Sequence, residues 1–144
     1  MSRISSFAVV LMLAAGASAC GGGNDSPTAP TVNVPFQVID IRIGTGAEAT
    51  TGRTVNVAYV GWLYSTSAPE NKGTRFDGGV FPFALGGGPP QPIRGWQQGI
   101  PGMRVGGQRR LVIPPDLAYG SAGAGNAIPP NATLVFDVEL TAVQ

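Results

Sequence analysis

Pro92-Ile93-Arg94-Gly95-Trp96-Gln97-Gln98-Gly99-Ile100 is the stretch whose reading decides the fold. Ile93, Trp96 and Ile100 recur at i, i+3 and i+7, which places three apolar side chains on one face of a short helix. Pro92 can stand just before or at the first turn, where a missing N–H is harmless. Gly99-Ile100-Pro101-Gly102 ends the helix, because proline cannot continue it and glycine favours its C-terminal end. The rest of the second half reads as strand and turn. A lone helix in such a chain needs a sheet to cover it, and Trp96 is the largest side chain it can offer.

Working outward, residues 54–64 (TVNVAYVGWLY) give the strongest strand signal, with Val55, Val57, Tyr59 and Gly61 sharing the inner face. Residues 36–43 (FQVIDIRI) alternate as a half-buried strand does. Residues 74–77 and 80–85 are expected as two short strands separated by Gly78-Gly79, with Pro82 demoting the second to an edge or bulge. Residues 108–113 and 133–143 complete the set, the last with Leu134, Phe136, Val138 and Leu140 on one face. Residues 114–131 form a long loop, of a length that is often functional in compact domains.

Composition narrows the chemistry. The formal charge is +1, only 12% of residues are charged, and no basic stripe marks a nucleic-acid surface. Histidine is absent, which removes Ser–His and Cys–His nucleophile systems and histidine metal ligands. The sole cysteine, Cys20, excludes an intramolecular disulfide. Residues 1–19 read as a signal peptide: Arg3 precedes an apolar core too short to span a bilayer comfortably, and Ala17-Ser18-Ala19 leads into Cys20. That junction resembles a bacterial lipobox, with Ala17 where leucine is usual. It implies a lipidated Cys20 and a membrane-anchored, exported lipoprotein on the periplasmic side of the envelope, at the outer membrane if the cell has one. Residues 20–35 form a Gly/Pro/Ser/Thr-rich tether, and residues 36–144 the folded domain.

Several blocks stand in a fixed order: Ala58-Tyr59-Val60-Gly61, Arg75-Phe76-Asp77, Ile93-Arg94-Gly95-Trp96, Val105-Gly106-Gly107-Gln108-Arg109, Ala118-Tyr119-Gly120 and residues 128–140 (IPPNATLVFDVEL). Together, over residues 36–143, the chain resembles the FKBP-type peptidyl-prolyl cis–trans isomerases. The resemblance implies an α+β fold, a twisted antiparallel sheet wrapped around one short helix. It implies an apolar pocket with Trp96 as floor and Tyr59, Phe76, Ile93 and Phe136 as walls. Phe81 or Phe83 is a further wall, Phe81 being the better match, and Ile128 contributes from the long loop. Asp77 and Tyr119 are the polar members, tuning the reaction without acting as acid or base; the Tyr119 hydroxyl and the Ile93 N–H are expected to bond peptide carbonyls. The implied activity is X–Pro rotation in exported polypeptides by a monomer needing no metal, cofactor or covalent intermediate. Macrolides such as rapamycin are implied competitors. The alternatives are a proline-binding module without turnover and a structural envelope lipoprotein. Against compact relatives, the loop between Gly61 and Phe76 is longer, the stretch from Asp77 to Phe81 is shorter, Gly and Pro are added over residues 86–92, Pro92 replaces a β-branched residue, and Ala124 and Ala127 stand at tip positions that often hold larger side chains.

Overall fold

The computed structural model describes residues 33–144. The expected signal peptide, Cys20 and most of the tether lie outside the described residues. Five strands, β1 (Gln37–Arg42), β2 (Thr54–Tyr64), β3 (Lys72–Ala84), β4 (Gln108–Ile113) and β5 (Leu134–Val143), form one antiparallel sheet in the order β1-β4-β5-β2-β3. One helix, α1 (Arg94–Gly99), crosses its inner face. The expected α+β architecture is therefore observed.

The central strands carry the core. Val55, Val57, Leu111, Ile113, Leu134, Val138 and Leu140 are almost inaccessible to solvent and close over Trp96 and Ile100 of the helix region. Each such aliphatic side chain contributes roughly 1.5–3 kcal/mol of transfer free energy. The helix approaches β4 closely because two of its residues lack a Cβ: one built on Gly95 would lie 2.6 Å from the Ile113 side chain, and one on Gly99 2.5 Å from that of Leu111. Arg109 secures its far end, donating from Nη1 to the Gly99 carbonyl at 2.8 Å and the Pro101 carbonyl at 3.3 Å. A guanidinium at a helix C-terminus meets both the orphan carbonyls and the negative end of the dipole.

Three expectations change. The helix begins at Arg94, with Ile93 as its extended N-cap and Ile100 as its C-cap, so of the expected apolar face only Trp96 lies within the helix, and Pro92 stands just before it. The two short strands of the third segment are one 13-residue strand running through Gly78-Gly79. Pro82 is tolerated because β3 is an edge strand. The first strand is not half-buried: all six residues of β1 are exposed, including Val38, Ile39 and Ile41 at 44–48%. It is the other edge, and no second layer packs on it among the described residues.

The outer face is polar where the inner one is greasy. Arg110 grips Asp137 with two hydrogen bonds of 2.6 and 2.9 Å and reaches Glu70 at 2.9 Å. Lys72 lies 2.7 Å from Asp137 and 3.0 Å from Glu70, with its ammonium 4.6 Å from the Trp62 ring centroid. Burial pushes the Asp137 carboxyl up, but hydrogen bonds and charge from Arg110 and Lys72 outweigh it and hold the group below its usual value.

Candidate active site

A cleft of about 430 Å³ opens between the helix, the inner face of β2 and β3, and the long loop before β5. Its lining is Tyr59, Phe76, Asp77, Phe81, Gln91, Pro92, Ile93, Trp96, Ala118, Tyr119 and Phe136. That volume lies within the range of small-ligand sites, roughly 300–1,000 Å³.

The floor is the Trp96 indole, presented by α1 and only 4% exposed. Tyr59 meets it edge-on at 4.9 Å between ring centroids, and Phe136 at 5.4 Å and 85°. Phe76 stands perpendicular to Phe136 at 5.5 Å. These edge-to-face contacts are the favoured arrangement of aromatic quadrupoles and hold the rings in fixed orientations. The indole N–H is buried with no hydrogen-bond partner among the described residues.

Gly61 makes the corner possible. A Cβ there would lie 2.7 Å from the Phe136 ring and 2.7 Å from the Phe76 ring, so the two phenyl groups meet above a bare backbone. The walls of β3 depend on an irregularity. Gly61 pairs with Asp77 and Trp62 with Arg75, so Phe76 has no partner of its own and the strand bulges there. A bulge re-aims side chains, and consecutive residues Phe76 and Asp77 both reach the cleft where regular alternation would send them to opposite faces.

The polar edge is compact. Tyr59 donates its hydroxyl to Asp77 Oδ2 at 2.8 Å, and the Gly78 N–H donates to Asp77 Oδ1 at 2.8 Å. Burial first, then the hydrogen bond and charge of Asp77 and the nearby Tyr119, push the Tyr59 phenol up to about 12. Burial and the Asp77 charge also raise Tyr119. Both phenols are therefore neutral donors at neutral pH, unsuited to act as bases. Each Asp77 oxygen accepts one hydrogen bond, Oδ2 from Tyr59 and Oδ1 from Gly78, so the carboxylate anchors the Tyr59 ring.

Of the ten residues expected at the site, eight line this cleft: Tyr59, Phe76, Asp77, Phe81, Ile93, Trp96, Tyr119 and Phe136. Phe83 and Ile128 do not. Phe83 is 1% exposed and packs behind the indole at 5.9 Å. It shares a face with Phe81 but lies two residues deeper, opposite Val55. Ile128 is 5% exposed and belongs to the core, its backbone paired with Ala124 across a loop bridge. Gln91, Pro92 and Ala118 also line the cleft, though sequence reasoning did not assign them to the site; Ala118 belongs to the Ala118-Tyr119-Gly120 block, and Gln91 and Pro92 directly precede Ile93.

Comparison with known proteins agrees with this geometry. The family model described as FKBP-type peptidyl-prolyl cis-trans isomerase matches residues 46–141. An FK506-binding protein of Neisseria meningitidis serogroup A is 45% identical over 107 residues, covering 72% of this chain and 92% of the relative. FK506-binding protein 4 of Dictyostelium discoideum is 45% identical over 117 residues, but the match spans only 30% of that longer protein and 79% of this chain. A solved structure of a peptidyl-prolyl cis-trans isomerase from Pseudomonas syringae is similar with a TM-score of 0.62 and 37% identity, covering 76% of this chain and 75% of that one. Sequence, sheet order and the aromatic cleft converge: the chain belongs to the FKBP-type peptidyl-prolyl cis–trans isomerase family.

Proposed function

We propose that the cleft binds X–Pro segments of polypeptides and accelerates their cis–trans rotation. One observation carries this reading: six aromatic side chains, Tyr59, Phe76, Phe81, Trp96, Tyr119 and Phe136, line a cleft whose only carboxylate is tied to Tyr59 and Gly78. The amide barrier is ~18–20 kcal/mol because rotation destroys resonance. The planar amide is charge-separated and well solvated by water, while the twisted amide is less polar. An apolar enclosure therefore disfavours the planar form relative to the twist. Walls that fit the twisted prolyl unit better than either planar isomer lower the barrier by that difference, and about 1.4 kcal/mol is worth tenfold in rate. The Tyr119 hydroxyl and the Ile93 N–H hold substrate carbonyls at the rim. Asp77 fixes Tyr59 and the shape of the wall; no proton changes hands.

The names of the relatives support a second property of the same cleft: FK506-like macrolides occupy it and compete with peptide. The Ala17-Ser18-Ala19-Cys20 junction supports export and lipidation at Cys20, with the domain held near a membrane by its tether, and proline-containing exported polypeptides as clients. Membrane fractionation of Cys20→Ser tests the anchor: release of the protein is expected, and unchanged retention refutes it.

A protease-coupled assay, in which only trans X–Pro peptide is cleaved, tests the activity. The protein should convert the slow phase of roughly 10–100 s into a concentration-dependent fast one. A slow phase indifferent to micromolar protein, with peptide still bound, leaves a binding module instead.

A further inference from the structure

We infer that the β1 edge is a membrane-contact face: Ile39, Ile41 and Ile43 enter the headgroup region of an anionic phospholipid surface, and Arg42 and Arg104 meet its phosphates. The inference rests on the lipidation of Cys20 proposed above. Apolar exposure is concentrated at this edge. Of the six large hydrophobic side chains exposed among the described residues, four are Val38, Ile39, Ile41 and Ile43, and Ile43 reaches 72%. Scattered exposed aliphatics are ordinary, but a cluster marks a contact surface. Strand pairing with a second chain is disfavoured here. The register on β4 slips between Asp40 and Arg42, so Ile41 is a bulge, and charged residues stand on either side of it.

Charge favours lipid as the occupant. Beside Ile43 lies a small hollow of about 80 Å³ whose lining includes Arg42, Arg104 and Arg109 against one carboxylate, Asp40. Arg109 is committed to Asp40 and to the end of the helix. The other two are loosely held. Arg42 donates from Nε to the Gly106 carbonyl at 2.9 Å and is 3.5 Å from Glu139, and Arg104 is 3.5 Å from Glu48. Both arginine side chains are about half exposed, and such pairs are weak enough for a guanidinium to turn to a phosphate. Position favours it too. The chain enters the domain at buried Val34, directly before β1, and thirteen residues separate Val34 from Cys20. That length spans at most about 45 Å, so an anchored Cys20 keeps the lipid surface within reach and makes even a weak contact intramolecular. In the order β1-β4-β5-β2-β3 the cleft belongs to the opposite edge, so a domain resting on β1 leaves its cleft open to polypeptides away from the bilayer.

The test uses full-length lipidated protein in phosphatidylethanolamine–phosphatidylglycerol vesicles. Cys20 is the only cysteine and is blocked by lipidation, so Ile41→Cys or Val80→Cys each supply one thiol for an environment-sensitive dye. Flotation with the vesicles reports the anchor. The dye at position 41 should shift to the blue and be quenched by spin-labelled lipid, whereas the dye at exposed position 80, on the opposite edge, should not. Adding Arg104→Gln should lower the ratio of docked to undocked protein about fivefold, the effect of one basic residue near an anionic surface, and that loss should vanish in phosphatidylcholine vesicles. Adding Ile43→Asp should bring quenching at position 41 down to that at position 80, with circular dichroism and peptide turnover unchanged. Protein that floats while position 41 is quenched no more than position 80 overturns the contact face and leaves the anchor intact. Protein that does not float overturns both. A dye at position 41 shielded without vesicles, in proportion to protein concentration, means a second copy covers β1 and also overturns the inference.

Discussion

The two edges of the sheet teach opposite lessons. β1 has the alternation of a half-buried strand, yet all six of its residues are exposed. β3 carries two adjacent glycines and a proline, a poor strand by composition, yet it places Phe76, Asp77 and Phe81 in the cleft and Phe83 in the core. Alternation reports which side chains share a face; it does not report whether anything covers that face. The helix packs on β4 through Gly95 and Gly99 and turns Trp96 toward Tyr59, Phe83 and Phe136, while β1, beyond β4, is left exposed. Function follows coverage: the edge beside Trp96 becomes the site, and the other is left free.

The sharpest contrast is in stability. Phe83→Ala removes a fully buried ring from behind the indole and should cost about 3–5 kcal/mol. Val38→Ala, at 44% exposure on the other edge, should stay within about 0.5 kcal/mol. Denaturant melts of the two variants check the contrast, and similar costs would erase it.

Next comes activity without stability. Asp77→Val should lower kcat/KM by about tenfold, the scale of one or two lost hydrogen bonds, while the protein stays folded. Ile39→Ala on β1 should not change the rate. Peptide kinetics alongside circular dichroism separate the two, and an unchanged rate for Asp77→Val removes that carboxylate from the mechanism.

The ion pairs tying the edges differ more modestly. β3 is fastened through Lys72 to Asp137, and β1 through Asp40 to Arg109 at 2.6 Å. Asp137 is depressed when folded, so its contribution is complete above the unfolded pKa of about 3.9 and disappears as pH falls through the lower folded value. Acid unfolding below about pH 4 should therefore be blunted in Asp137→Asn, whose neutral-pH stability is lower. Asp40 is 42% exposed, and Asp40→Ala should cost no more than about 1 kcal/mol.

The smallest expected effect is at high pH. Tyr59 is raised to about 12 when folded, so its contribution is whole below the unfolded value of about 10 and is lost between there and 12. Phenolate absorbance during alkaline titration should show a late-titrating tyrosine that moves down in Asp77→Val.

Much of this was legible beforehand. β2, β4, β5 and the Trp96-centred helix follow from periodicity and turn residues, and the ordered blocks around Tyr59, Asp77 and Tyr119 pointed to one cleft. What resisted was three-dimensional. The bulge at Phe76 inverts local alternation, and nothing in Arg75-Phe76-Asp77 announces it. Phe81 and Phe83 have the same phase, so only the depth of each beneath the helix decides which ring sees the cleft. Ile128 turned inward because its loop folds back on Ala124, a pairing that sequence spacing does not reveal.

The most direct measurement is two-dimensional NMR exchange on an X–Pro peptide with a catalytic amount of the protein. Cross-peaks between its cis and trans resonances should appear on the subsecond scale. They should vanish on adding FK506 and weaken sharply with Phe76→Ala. Peptide resonances that shift on binding while cis and trans never exchange would contradict the account.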